Sequence, residues 1–365
     1  MKIERTEFQD LQTIVTMTVE PADYQDEVQK ELKTIRQKAN IPGFRPGMVP
    51  MGMVKKMYGK GVMAEVINKT IGTKLSEYIE TEKLQVLGEP LPNEEKTPAV
   101  DFDNQDTFTF AFDIAVAPEF QADLTAKDKV TEYQITVTDE MVSKQIEAYT
   151  QRFGEYVDDE EAEEKDGVKP KKIIPAKVDG ELFAKVYGEN TIKDEADFRA
   201  HVRAEIEQNM AEDSKYKLGL DLKAAILKKM EKVAFPDAFL KRWVLATNDK
   251  MNAETLDKEY PSMLTELKWQ LAKDQLVKKY EIKVEKEDVE AYAKEVARLQ
   301  FIQYGLMHVD DSFLASYAQE MLKKEDQLRG LVERVAENKI YAALKGVAKV
   351  EEKKISHEDF GKLFQ

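Results

Sequence analysis

From Thr107 to Val116 every second residue is large and apolar: Phe108, Phe110, Phe112, Ile114 and Val116 alternate with smaller or polar side chains. A period of two puts all five on one face of a strand, so this stretch belongs to a sheet with a single buried side. A second strand is predicted over 11–20, where Val15, Met17 and Val19 alternate with threonines. Between the two lie helical patterns. Tyr24, Val28, Leu32 and Ile35 follow Pro21, which suits a first helical turn, and that helix ends before Asn40. Met63, Ile67, Ile71, Leu75 and Ile79 recur every four residues and predict a helix over about 61–84. Strand, helices and strand together predict an α+β domain over residues 1–117.

Residues 118–154 read as an arm leading out of that domain, with a short strand over 129–137 and a helix from Thr138. The composition then shifts. Glu155 to Asp166 holds eight acidic residues and one lysine, and Gly167 to Lys177 holds four lysines and two prolines. The stretch 155–180 is therefore expected to be a solvated connector. From 181 to 365 the apolar residues fall on helical stripes, such as Phe198, Val202, Ile206 and Met210. Pro236 and Pro261 are each expected to open a helix. Further helices are predicted over about 262–280, 286–303, 311–323 and 325–346, with no strand of convincing length among them. This half is predicted to be an elongated, mainly α-helical domain, which fits a chain that is 34% charged.

Several chemistries are excluded. There is no cysteine, hence no disulfide and no thiolate chemistry. The histidines His201, His308 and His357 are scattered, and Asp310 and Asp311 beside His308 read as caps of a following helix, so neither a metal nor a cofactor is expected. No phosphate-binding glycine loop or nucleophile triad is present, and no catalytic residue is assigned. No apolar run approaches 18 residues and the N-terminus is too charged for a signal peptide, so the reading is a cytoplasmic protein with no membrane partner.

The charge map is uneven. Lys30 to Lys60 carries eight Lys or Arg against one acid, Glu31, in a chain of net charge -15. This is either a solvated basic face or a docking surface for an anionic partner. The loop within it favours docking. Gly43-Phe44-Arg45-Pro46-Gly47-Met48-Val49-Pro50 forbids regular structure, and it sets an aromatic anchor beside a bidentate cation at little ordering cost. Methionine is a second anomaly, since Met141, Met210, Met230, Met251, Met263, Met307 and Met321 populate the second half. Core packing is one reading of them, and an adaptable apolar binding surface is the other.

The stretch Gly43-Phe44-Arg45-x-Gly47-x-x-Pro50, followed by Tyr58-Gly59 between two helices, resembles the ribosome-binding signature of the bacterial trigger factor family. The Phe-rich strand, the segment Leu182-Phe183-Ala184-Lys185-Val186-Tyr187-Gly188 and the C-terminal helices are similar to that family as well. The resemblance implies an ATP-independent chaperone. Gly43, Phe44, Arg45, Pro46, Gly47 and Pro50 would dock on ribosomal protein and RNA at the tunnel exit. The helical half would hold nascent or unfolded chains, with Met141, Met210, Met230, Met251, Met307 and Met321 as candidate contacts, and free molecules would pair as homodimers. Many relatives carry lysine at the positions of Pro46 and Met48. The family also usually inserts an FK506-binding-type prolyl isomerase domain where this chain has only 155–180, too short and too poor in aromatic residues for one, so isomerase activity is not expected. The rivals are a prolyl isomerase and a helical adaptor for protein or RNA without chaperone activity.

Overall fold

A computed structural model of the chain describes residues 1–45, 47–158, 171–304, 306 and 309–364. The chain divides into two compact units, one formed by Met1–Phe120 with Lys232–Leu264 and the other by Gln121–Glu231 with Thr265–Gln365.

In the first unit, β1 (Lys2–Arg5), β2 (Gln12–Val19), β3 (Leu91–Pro92) and β4 (Phe108–Ala115) form an antiparallel sheet in the order β1-β2-β4-β3. Its register pairs Val15 with Phe112, Met17 with Phe110 and Val19 with Phe108. The two alternating patterns therefore face the same way and bury one common side. Helices α1 (Pro21–Lys38) and α2 (Met51–Thr81) close that side, with Tyr24, Leu32, Val54, Val66, Ile67 and Ile71 completing the core. The α+β expectation for the N-terminal part holds. Helix α2, however, begins ten residues earlier than its apolar period suggests. Gly52, Gly59 and Gly61 dilute the signal there, and only Val54 among the residues from Met51 to Gly61 is buried.

The same unit receives a segment from the second half of the sequence. Helix α6, Asp237–Thr247, starts behind Pro236 as expected. Its Arg242 donates to Asp113 on β4, and its Trp243 ring lies against Gly88. Gly88 has φ +70, and a Cβ there would stand 2.7 Å from the indole, so glycine is required twice over.

In the second unit, β5 (Lys129–Ile135) leads to α3 (Asp139–Arg152), whose start is capped by Thr138 accepting from the Met141 amide. A two-stranded antiparallel ribbon, β6 (Glu155–Asp158) with β7 (Lys171–Ile174), precedes α4 (Gly180–Tyr187) and the long α5 (Glu195–Lys229). Phe198 is fully buried where these helices meet, stacked on Phe183 at 4.6 Å. Tyr149 and Tyr187 both donate to Glu205 beside it. Burial first, and then the Glu205 carboxylate, pushes the Tyr187 hydroxyl up, while burial pushes Tyr149 up to about 12, so both stay protonated donors.

Helix α7 (Ala253–Lys279) belongs to the first unit as far as Leu264 and to the second beyond it. It runs through Pro261, which does not open a helix as the sequence suggested but sits inside one. Helices α8 (Lys286–Gln303), α9 (Asp311–Leu322) and α10 (Glu325–Val347) pack through Ala293, Ala297 and Ala318, small residues that let the backbones approach, with Leu331 of α10 filling the core beside them. The chain then returns as β8 (Lys349–Ile355), parallel to β5 along its whole length, before α11 (His357–Gly361). No strand was expected here, because Lys349-Val350-Glu351-Glu352-Lys353-Lys354-Ile355 has almost no apolar content and its partner lies far away in sequence. The C-terminal part is otherwise mostly helical, as expected.

Replacing Gly88 by alanine should lower stability by about 1–3 kcal/mol through the added strain and the displaced indole. Urea unfolding monitored by tryptophan fluorescence measures this, and a change within a few tenths would show that Trp243 yields freely.

Candidate functional site

The loop between α1 and α2 is held by its two ends. Ile41 and Val49 are both buried in the core of the first unit, so the residues between them make a short excursion that must leave and return at fixed points. Two tight turns make that possible. The amide of Phe44 donates to the Ile41 carbonyl at 3.1 Å, and Pro42-Gly43 between them, with φ +89 at Gly43, follow the pattern of a type II turn. The amide of Met48 donates to the Arg45 carbonyl at 2.9 Å, with φ +82 at Gly47. No atom lies within 4 Å of a Cβ built at Gly43 or Gly47, so these glycines serve backbone conformation and not packing space.

Arg36 of α1 fastens this loop from both of its groups. Its Nε donates to the Val49 carbonyl at 2.8 Å, and its own carbonyl accepts from the Gly47 amide at 3.2 Å. A charged donor on a half-buried carbonyl is among the stronger hydrogen bonds. Sequence reading missed this role, because nothing distinguishes Arg36 from the other cations of α1 until the loop folds over it.

The loop presents different residues from those the signature suggests. Phe44 is half-buried and packs against the core, so its ring is only partly available. Arg45 is exposed and carries no ion pair among the described residues. Met48 stands out into solvent, at 69% exposure. Gly43 and Pro50 are exposed, Gly47 is half-buried, and Pro46 lies outside the described residues. Helix α2 continues the surface with Met53, Met57 and Tyr58, all exposed.

Two of the six methionines proposed as client contacts are unsuited to the role. Met230 is fully buried and Met321 nearly so, and both are core residues that offer no surface to a partner. Met141 and Met210 are half-buried against the Phe198 core. Met251 is half-buried, and Met307 lies outside the described residues. Apolar surface in the second unit gathers instead where α8 gives way to α9. Leu299, Ile302, Leu306 and Tyr317 are exposed there, Tyr304 reaches 84% and Phe313 54%. Phe313 and Tyr317 both meet the edge of Phe301, whose ring joins them to the core. The signal was legible in Leu299-Gln300-Phe301-Ile302-Gln303-Tyr304-Gly305-Leu306, which holds more apolar residues than one buried stripe can use.

Charged residues border this patch. Asp310 caps α9 by accepting from the Ser312 amide at 2.8 Å, and the Ser312 hydroxyl holds its carboxyl below the usual range. Asp311 pairs with Lys294 at 3.0 Å and Arg298 at 3.2 Å, the hydrogen bond from Lys294 doing most to lower its pKa. Asp310 thus caps the helix as the sequence suggested, whereas Asp311 is its first residue and is engaged in ion pairs, and His308 lies outside the described residues. Among the described residues no helix is long and apolar enough to cross a membrane.

Replacing Arg36 by alanine should loosen the loop without unfolding the domain. Amide exchange at Gly47 should quicken by roughly 10–100-fold, the equivalent of losing one charge-assisted hydrogen bond of about 1.5–3 kcal/mol. Unchanged exchange there would show that Ile41 and Val49 suffice to hold the loop.

The chain is similar to proteins of the trigger factor family. Residues 1–149 match the family model described as bacterial trigger factor protein, and residues 214–364 match that of the probable trigger factor C-terminal domain. The trigger factor of Bordetella avium strain 197N is 33% identical over 146 residues, which is 40% of this chain and 33% of that protein. That of Aliivibrio fischeri strain ES114 is 32% identical over 180 residues, 49% of this chain and 40% of that protein. The matched stretches therefore span between a third and two fifths of these curated relatives. A solved structure of a trigger factor chaperone, described for promiscuous substrate recognition in folding and assembly, shares the fold with a TM-score of 0.51 at 13% identity, covering 94% of this chain and 99% of its own. With both of its halves matched by models of one family, the chain belongs to the trigger factor family.

Proposed function

We propose that the protein is an ATP-independent chaperone that docks on the ribosome through the loop between α1 and α2 and shields emerging chains with apolar surface on its helical half. The observation that carries this reading is the loop itself, whose ends are buried while Arg45 and Met48 stand out into solvent. A preorganised loop loses little entropy on binding, so a small contact suffices for reversible docking. Attachment raises the local concentration of nascent chain near the protein, which lets weak apolar contacts act.

The patch around Tyr304 and Phe313 is the surface best suited to unfolded clients. Large exposed aromatics bordered by charge bind apolar segments without demanding one sequence, and a client releases itself by burying those segments in its own core. This reading replaces Met230 and Met321 as contacts and retains Met141, Met210 and Met251 only at the margins. It places the protein in the cytoplasm, with pairing of free molecules as one way to cover the patch.

Isomerase chemistry is not part of the proposal. Between β6 and β7 only residues 159–170 remain, far fewer than the roughly 100 that a separate catalytic domain needs.

Two variants test the scheme. Arg45→Ala with Met48→Ser should abolish co-sedimentation with ribosomes while leaving the melting temperature and aggregation suppression unchanged, because both side chains are exposed. Tyr304→Ser with Phe313→Ser should do the reverse, cutting suppression of aggregation of an unfolded test protein several-fold with ribosome binding intact. Full ribosome binding by the first variant would refute docking through the loop.

A further inference from the structure

The basic stretch is not used up by the loop. Of its cations, Lys30 is paired with Glu27 at 3.3 Å, Lys60 with Asp103 at 2.6 Å, and Arg36 fastens the loop. The others, Lys33, Lys38, Arg45, Lys55 and Lys56, are exposed and have no ion pair among the described residues. Unpaired lysines gathered on two neighbouring helices are unexpected in a chain of net charge -15 that has acids to spare.

The start of α2 adds an unusual surface. From Met51 to Gly61 only Val54 is buried, and Gly52, Gly59 and Gly61 face open space. Packing does not explain three glycines in an exposed helix, but a close approach by a partner does. Met53, Lys56, Met57 and Lys60 follow the i, i+3, i+4, i+7 spacing of one helical face, and Lys55 lies on the adjoining face past Gly52 and Gly59. All five are exposed.

We infer that the first three turns of α2 form a second contact strip beside the loop, in which Lys55 and Lys56 neutralise phosphates of duplex ribosomal RNA while Met53 and Met57 pack against the sugar backbone. The inference rests on the docking reading above and assigns the chemistry of its partner. Lysine is a mobile point charge suited to phosphate, and it lacks the fork that pairs with a carboxylate on a protein surface. Tyr58 is the one exposed aromatic side chain between Met51 and Gly61, a single ring where successive unpaired bases would need several, which favours duplex backbone over single strand. Glycine at positions 52 and 59 lets the helix lie close to that backbone.

The test is binding of the full chain to purified ribosomes over a potassium chloride series, comparing it with Lys55→Gln/Lys56→Gln and Met53→Ser/Met57→Ser variants. Glutamine keeps the helix propensity of lysine, and circular dichroism verifies the fold. Each phosphate contact contributes roughly 0.7–0.9 to the slope of log affinity against log salt, so the lysine variant should bind with a slope shallower by about 1.4–1.8. The methionine variant should bind more weakly with the slope unchanged. A lysine variant that keeps the full slope overturns the phosphate assignment while leaving the docking reading intact. Failure of the unmodified chain to bind at low salt overturns the docking reading and this inference with it.

Discussion

Burial of Ile41 and Val49 in the core of the first unit is the constraint on which the docking reading depends. Two buried points a few residues apart force the chain between them to turn sharply, which selects glycine at 43 and 47, where φ is positive. Arg36 then ties the returning strand of the loop to α1. Surface chemistry is thereby fixed by the interior. Arg45 and Met48 stand out because the residues beside them are held in.

That arrangement separates stability from recognition. The residues that anchor the loop, Ile41, Val49 and Arg36, are core or half-buried and contribute to folding, whereas those offered to a partner contribute little to it. Met48 illustrates this, since it is 69% exposed and takes no part in the core, and the cations at 55 and 56 lie on an equally exposed surface. The same logic holds at the α8–α9 turn. There Phe301 packs against the helical core of Ala293, Ala297 and Leu314 and its neighbours, and its ring meets the exposed Phe313 and Tyr317.

What could be read from the sequence follows where the physics is local. The strand β4 and the helix α1 declared themselves because a period of two or of 3.6 reflects one buried face, and Thr138 announced α3 by its capping chemistry. The early start of α2 was hidden by glycines whose purpose lies outside the chain's own packing. Strand β8 was hidden because its stability comes from backbone pairing with β5, more than 200 residues away by its register, and not from its charged side chains. Exposure was the least legible property. Met230 and Phe44 look like binding residues by type, yet the first is core and the second is half-buried, and only the assembled fold decides that.

The central claim is that the loop and the α8–α9 patch meet different partners. Photo-crosslinking on translating ribosomes, with a photoreactive residue placed at position 48 or at position 313 of the full chain, tests it most directly. The account predicts adducts with ribosomal components from position 48 and with the nascent polypeptide from position 313. Nascent-chain adducts from position 48, or ribosomal adducts from position 313 alone, would contradict it.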